Sequence, residues 1–323
     1  MIFLDENLHE LGSLDVDIDV EIGSTDASTN DFEFESDGEC PAGMAGFYIP
    51  NTEIGGIIEY SKSRTDQSYS TLKGYTWRGL LSMSVILPPA GSNYKVVSGE
   101  ANQIITSMLS SVLGDFFTVS SESSGLNISS YQFPLYINLL DGLELMLEKF
   151  DYRLKITGTK VASGQPIRIM IEAVPAQLVK GTFNEDNGIP MTFEVDYMGI
   201  NHLICGGSGE LQQRMIRHLY IDNNGNVSQT QYYFGFDERT QFYDYSSAES
   251  EIDLIDYGTK RLLELASHKT MKMEAPDDYE LEIGDIVQGV FPDGTIVRKP
   301  IVQKIYKIKD GLLTTDYKIK GEE

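Results

Sequence analysis

The sequence predicts an α+β fold, mostly β. Two small antiparallel β-barrels flank an inserted α+β region, and one long helix precedes a C-terminal meander. Three observations carry this expectation. Apolar and polar residues alternate in short runs at both ends of the chain, the period-2 signal of half-buried strands. Two stretches in the middle and one after residue 246 change to the spacing of amphipathic helices. Gly, Pro, Asn and Asp punctuate the strand-like runs at close intervals. The chain then divides into 1–92 (first barrel), 93–175 (α+β insertion), 176–246 (β-rich, returning in part to the second barrel) and 247–323 (helix and meander).

Residues 3–12 read as two strands around a polar turn. Residues 14–22 alternate strictly: Asp15, Asp17, Asp19 and Glu21 fall on one face, and Leu14, Val16, Ile18, Val20 and Ile22 on the other. The acidic face reads as a solvated sheet surface or as the wall of a channel. Carboxylates on one strand face recur every ~7 Å and do not converge on a calcium ion. Residues 31–35 alternate again. Residues 54–60 and 70–75 form a hairpin across a polar loop, and 76–81 close the segment.

After Pro88-Pro89-Ala90-Gly91 the pattern becomes helical. Ser98 stands where it can cap a helix whose stripe is Ala101, Ile104, Ile105, Met108, Leu109, Val112 and Leu113, with Gly114 past its end. Asn138 caps another, with Leu139, Leu140, Leu143, Leu147 and Phe150 inward; Gly142 weakens it by ~1 kcal/mol relative to Ala. Residues 153–157 and 167–172 form a hairpin around Ser163-Gly164. Strands are expected at 191–197, 201–205, 215–221 and 227–234, the last two joined by the turn Asp222-Asn223-Asn224-Gly225. Ser247 caps a helix bearing Ile252, Ile255, Leu262, Leu265 and Ala266, which ends near His268-Lys269. Residues 279–287, 300–308 and 312–319 make the meander, turning at Pro292-Asp293-Gly294 and Lys309-Asp310-Gly311.

The net charge of the 323 residues is −24, unevenly placed: residues 1–61 hold 15 Asp/Glu and no Lys or Arg, and 298–320 hold seven Lys/Arg. Such acidity repels a phosphate backbone, so sequence-specific nucleic-acid binding is disfavoured. No apolar run approaches ~18 residues, so membrane insertion is not expected. The opening residues carry no basic region before an apolar run, so no signal peptide is expected. The two cysteines, Cys40 and Cys205, make no disulfide framework.

Chemistry leaves little trace. Gly206 to Glu210 lacks the Gly-Lys-Ser/Thr ending of a phosphate loop, and the nearest basic residue is Arg214; a turn permitting close backbone approach fits better. His9, His202, His218 and His268 are scattered, and His202 with Cys205 has no second pair to complete a zinc set. No nucleophile elbow or His-Glu-x-x-His occurs. No metal or cofactor is expected. The 49 carboxylates leave acid pairs for glycan cleavage uncountable.

Three segments, in order, resemble the phage tail hub or baseplate hub family. Residues 54–60 with 72–81, Leu-Lys-Gly-Tyr-Thr-Trp-Arg-Gly-Leu-Leu, resemble its "G-x-I-E … V-x-G-R-x-x-x-G-L-L" segment. Residues 201–210 with Arg214 resemble its "N-x-x-x-x-x-G-x-G-E … R" turn, so Gly206, Gly207, Gly209, Glu210 and Arg214 form a structural turn. Residues 281–287, 301–305 and 317–319 resemble its closing "L-x-x-G-D-x-V … K-I … Y-x-I" strands. Tyr75 and Thr76 stand where an Arg is common, and 23–50 is unusually acidic. The resemblance implies a homotrimer in a virion tail, assembled in the bacterial cytoplasm. Two barrels per subunit would form a pseudo-sixfold ring closing the tail tube, with the α+β parts distal and Asp15 to Glu21 facing the lumen. Expected partners are tail tube or distal tail proteins and a separate fibre or spike protein. A tail-borne glycan or peptidoglycan hydrolase and a host-surface carbohydrate-binding module are the alternatives.

Overall fold

The computed structural model describes residues 1–13, 16–23, 30–36, 43–66, 68–110, 116–179, 191–195, 198–222, 225–248, 250–266, 269–273, 281–290, 296–309 and 311–319. The N-terminal strands are β1 (Ile2–Leu4), β2 (Glu10–Ser13), β3 (Ile18–Gly23), β4 (Asp31–Ser36), β5 (Gly46–Tyr48), β6 (Gly55–Ser63) and β7 (Ser70–Thr76). Alternation sets their faces: Ile18, Val20, Ile22, Phe32 and Phe34 are buried, while Asp19, Asp31, Glu33 and Glu35 are exposed. Thr76 ends β7 and caps the short helix α1 (Trp77–Ser82), its hydroxyl accepting from the Gly79 N–H.

Then come β8 (Val96–Glu100), α2 (Ala101–Ser110), β9 (Phe117–Val119), β10 (Asn127–Gln132), α3 (Leu139–Glu148), β11 (Tyr152–Thr159) and β12 (Arg168–Pro175). The α2 stripe of Ala101, Ile104, Ile105, Met108 and Leu109 is buried as expected; Val112, Leu113 and Gly114 lie outside the described residues. Ser98 does not cap α2. The β8 strand stays paired with β10 as far as Glu100, so the helix starts later and the Glu100 carboxylate accepts from the Gln103 N–H at 3.0 Å. Asn138 caps α3, accepting from Asp141 N–H at 2.8 Å. The β11–β12 hairpin is antiparallel along its whole length, and β9 adds in parallel to β12.

Next are β13 (Met191–Val195), β14 (His202–Gly206), β15 (Ile216–Ile221), β16 (Val227–Ser228), β17 (Thr240–Asp244), α4 (Glu251–Leu265) and β18 (Lys269–Met273). The strand expected over 227–234 stops at Ser228, and Gly235–Asp237 is a 3-10 turn. Ser250, not Ser247, caps α4 by accepting from Asp253 N–H at 3.1 Å. The helix consequently buries Leu254, Gly258 and Leu262 and leaves Ile252 in solvent. Residues 196, 197, 223, 224, 267 and 268 lie outside the described set.

The meander is β19 (Ile286–Val290), β20 (Ile296–Lys309) and β21 (Leu312–Ile319). The first strand starts late because Gly284 takes φ +89° and Asp285 N–H bonds back to the Glu282 carbonyl, a turn where a strand was expected. Tyr279, Glu280, the 292–294 turn and Asp310 lie outside the described residues.

The chain divides into two compact units, Met1–Met191 with Lys272–Glu323, and Thr192–Met271. In the first, ten strands form one antiparallel sheet in the order β19-β20-β3-β4-β7-β6-β5-β1-β2, with β21 also on β20. This refines the expectation of two barrels, since both ends of the chain share one ladder. Strand β3 presents β20 an edge of matching alternation, Val20 opposite Tyr306 and Ile18 opposite Ile308. The sheet's inner face carries Phe3, Phe32, Phe34, Phe47 and Leu72, with Phe32 and Phe47 edge to face at 4.7 Å. A second core joins α1, α2, α3 and the β11–β12 hairpin through Trp77, Ile105, Leu143, Ile156 and Ile171. In the second unit α4 covers the sheet β16-β15-β14-β17, over Leu203, Cys205 and Leu219.

Candidate functional site

The acidic face is assembled from β3 and β4. Asp15 lies outside the described residues; Asp17 precedes β3 and is exposed. Asp19 stands opposite Glu33 on one side and Lys307 on the other. Like charges facing across strands are unfavourable. Relief comes from Lys73, 2.5 Å from Glu33, and from Gln303, which donates to Glu21 at 3.1 Å. Asp31 keeps contact with solvent, yet partial desolvation by the surrounding sheet, and then the neighbouring Glu21, raises its carboxyl above the ordinary range. The face is an electronegative surface. Among the described residues no group of three His, Cys, Asp or Glu could hold a metal ion.

The glycine-rich turn is closed by its own arginine. Arg214 donates Nε to the Gly207 carbonyl at 3.1 Å and Nη2 to the Gly206 carbonyl at 3.3 Å and to Asp244 at 2.6 Å. Its guanidinium lies over the Phe242 ring, 5.4 Å from the centroid. A Cβ on Gly206 would stand 2.9 Å from the Arg214 Cζ, and one on Gly209 2.5 Å from the Gln213 carbonyl. Glu210 is exposed, and its carbonyl accepts from Gln213.

The structure brings together a third group that sequence reasoning missed. Arg78, only 1% exposed, ion-pairs with Glu53 and Glu144, and its Nη2 donates to the Leu154 carbonyl at 2.8 Å. Helix α1 carries the arginine, the turn before β6 carries Glu53, and α3 carries Glu144, so one guanidinium ties three elements. Two buried carboxylates share one cation. Burial pushes Glu144 up to about 8, against the opposing pull of Arg78, and it also raises Glu53. The Glu144 Oε2 is buried without a hydrogen-bond partner among the described residues. Nearby, the Lys304 ammonium is buried 3.2 Å from Glu282 and 5.0 Å from the centroid of the Tyr306 ring. Arg153 pairs with Asp285 at 2.8 Å, and Asp285 accepts from the Gln177 N–H.

A cleft of about 640 Å³ opens in the first unit, lined by Glu144, Arg153, Leu154, Ile283, Ile301 and Gln303 among others. In the second unit, His202 Nδ1 lies 2.6 Å from Glu238 and its Nε2 2.8 Å from His218 Nδ1. A carboxylate only accepts, so the Nδ1–H of His202 donates to Glu238, while its Nε2 shares a hydrogen bond with His218 Nδ1. The arrangement joins β14 to β15 and to the segment before β17.

No family description matches the chain, and no curated protein matches it. Several solved phage tail structures are similar to it along nearly its whole length. Prophage tail protein gp18 of Listeria monocytogenes EGD-e is 12% identical with a TM-score of 0.44, covering 99% of this chain and 94% of that one. The 43 kDa tail protein of prophage MuSo2 from Shewanella oneidensis is 9% identical with a TM-score of 0.42, covering 96% and 95%. A chain of the P2 virion baseplate in its activated conformation is 12% identical with a TM-score of 0.43, covering 96% and 88%. With TM-scores below 0.5, the fold of this chain rests on its own hydrogen-bonding pattern.

Proposed function

We propose that this chain is a structural protein of a phage or prophage tail tip, a homotrimeric hub that closes the distal end of the tail tube and adapts its symmetry. The observation that carries the reading is the correspondence between the three hub-like segments and the points that lock the fold. The first supplies Arg78, the second Arg214 and its glycines, and the third Gly284 and Asp285. A sheet in which β2, β19 and β21 each have one strand partner among the described residues suits assembly into a ring. The acidic β3 face, turned to the lumen, would let DNA pass without adhering. Tail tube or distal tail proteins and a separate fibre or spike protein are the partners in this reading.

Purified particles, analysed for composition and by electron microscopy with antibody against this chain, test it. The chain is expected at the tail tip at three copies per tail. Its absence from intact particles refutes the proposal.

A hydrolase draws support from one observation, the cleft beside Glu144. Catalysis by that carboxyl needs an oxygen that substrate can reach. One Glu144 oxygen is held by Arg78 and the other is sealed from solvent, which favours a structural role. Clearing of purified cell walls by the chain alone would reverse this preference.

A further inference from the structure

We infer that His202 and His218 form a binding site for a divalent d-block ion of the zinc class, on the sheet of the second unit. Strands β14 and β15 run antiparallel, with His202 opposite Tyr220 and Ile204 opposite His218, so the two histidines are diagonal neighbours on one face. It is the face that α4 does not cover, since the alternate residues Leu203, Cys205 and Leu219 pack in the core beneath the helix.

The two rings meet edge to edge. His202 Nε2 lies 2.8 Å from His218 Nδ1, with the ring centres 5.1 Å apart and the planes 29° apart. At that nitrogen spacing the ring centres can hardly stand farther apart, so each nitrogen aims its in-plane axis at the other. The far side of His202 is held as a metal-bound imidazole is held. Its Nδ1–H donates to the Glu238 carboxylate at 2.6 Å, with the Thr240 hydroxyl 3.0 Å away. A carboxylate on one ring nitrogen leaves the other as the ligating one and raises its basicity. Tyr220 lies against the His202 ring, centroids 4.3 Å apart and planes 21° apart, and His202 is only 7% exposed, so its ring is set before an ion arrives.

Two imidazole nitrogens suit zinc, nickel or copper rather than the oxygen-seeking magnesium or calcium. Tetrahedral zinc, ~2.0–2.1 Å from each nitrogen, sets the pair ~3.4 Å apart, so the rings must part by roughly half an ångström. His218 is exposed, which lets its ring make that move. The proton on His218 Nδ1 passes to its Nε2, and the ion takes the place of that proton between the rings. Water fills the remaining positions, so a third ligating side chain is not required. The ion would then clip β14 to β15. The inference goes beyond the tail-tip reading and does not depend on it.

Titration of the full chain with zinc chloride near neutral pH, followed by calorimetry, tests it. The tightest step should take one ion per chain, and magnesium chloride should give no such step. His218→Ala should weaken that step at least tenfold and Glu238→Ala about tenfold, while His9→Ala, in the other unit, changes nothing. Affinity of the parent should fall as pH drops through the imidazole range, because protons compete for the same nitrogens. Circular dichroism melts without zinc check folding, and His218→Phe replaces the alanine variant if that melts early. Absence of zinc uptake overturns the inference. So does uptake that survives His218→Ala in a folded chain, or that is lost with His9→Ala, the mark of an adventitious surface ion.

Discussion

Glu144→Gln tests the most consequential electrostatic feature of the fold. The side chain is 14% exposed, one oxygen sits on Arg78, the other has no hydrogen-bond partner among the described residues, and burial pushes its pKa up to about 8. In the unfolded chain the same carboxyl titrates in the ordinary glutamate range. Between those values the folded state holds a proton that the unfolded state has released. Stability is therefore fully present below the unfolded value and is lost as pH rises through the folded one. At roughly 1.4 kcal/mol for each pKa unit, the loss is of the order of a few kcal/mol. Glutamine keeps the shape and an acceptor for Arg78 but cannot ionise. Urea unfolding of parent and variant at several values between about pH 5 and pH 9 isolates the effect as a difference. The variant should gain on the parent by a few kcal/mol across the series. A difference that stays constant with pH would mean that Glu144 is ionised throughout and that Arg78, not burial, governs it.

Arg78→Met leaves the buried carboxyl groups of Glu53 and Glu144 without the guanidinium they share and should cost about 3–5 kcal/mol, read as a fall in the thermal midpoint. Gly74→Ala should prevent β6 and β7 from pairing normally, because a Cβ there stands 1.9 Å from the Ile57 carbonyl oxygen; loss of soluble folded protein, or a destabilisation above about 3 kcal/mol, is expected. Arg214→Lys gives up the planar fork that spans the Gly206 and Gly207 carbonyls and Asp244. It should destabilise the second unit by roughly 1–2 kcal/mol, seen as faster amide exchange in residues 206–215 with the first unit unchanged.

Local patterns were legible where one face is buried. The alternation of Ile18, Val20 and Ile22 against Asp19 and Glu21 located β3, and Asn138 followed by leucines located α3. Helix starts were less legible, because Ser98 and Ser247 look as able to cap as Glu100 and Ser250, and only strand pairing and side-chain reach decide between them. Gly258 left no apolar signal, although α4 rests it against Cys205, where a Cβ would stand 2.5 Å from the sulfur. The Arg78 cluster was invisible for a different reason. Its partners stand 25 and 66 residues away, and 49 carboxylates offer no means of choosing two. Registers across such distances are fixed by tertiary packing, which no short window contains.

The shared ladder also sets an order of events during synthesis. Glu21 and Gln303 stand 282 positions apart in the chain, so β3 waits with one edge bare until nearly all of the stretch between them has left the ribosome. Closing so long a loop is slow. Meanwhile the α2, α3 and β11–β12 region, whose contacts are nearer in sequence, can condense first. Chains interrupted before β20 would carry an uncovered β3 edge, the kind of surface on which nascent proteins clump or recruit chaperones.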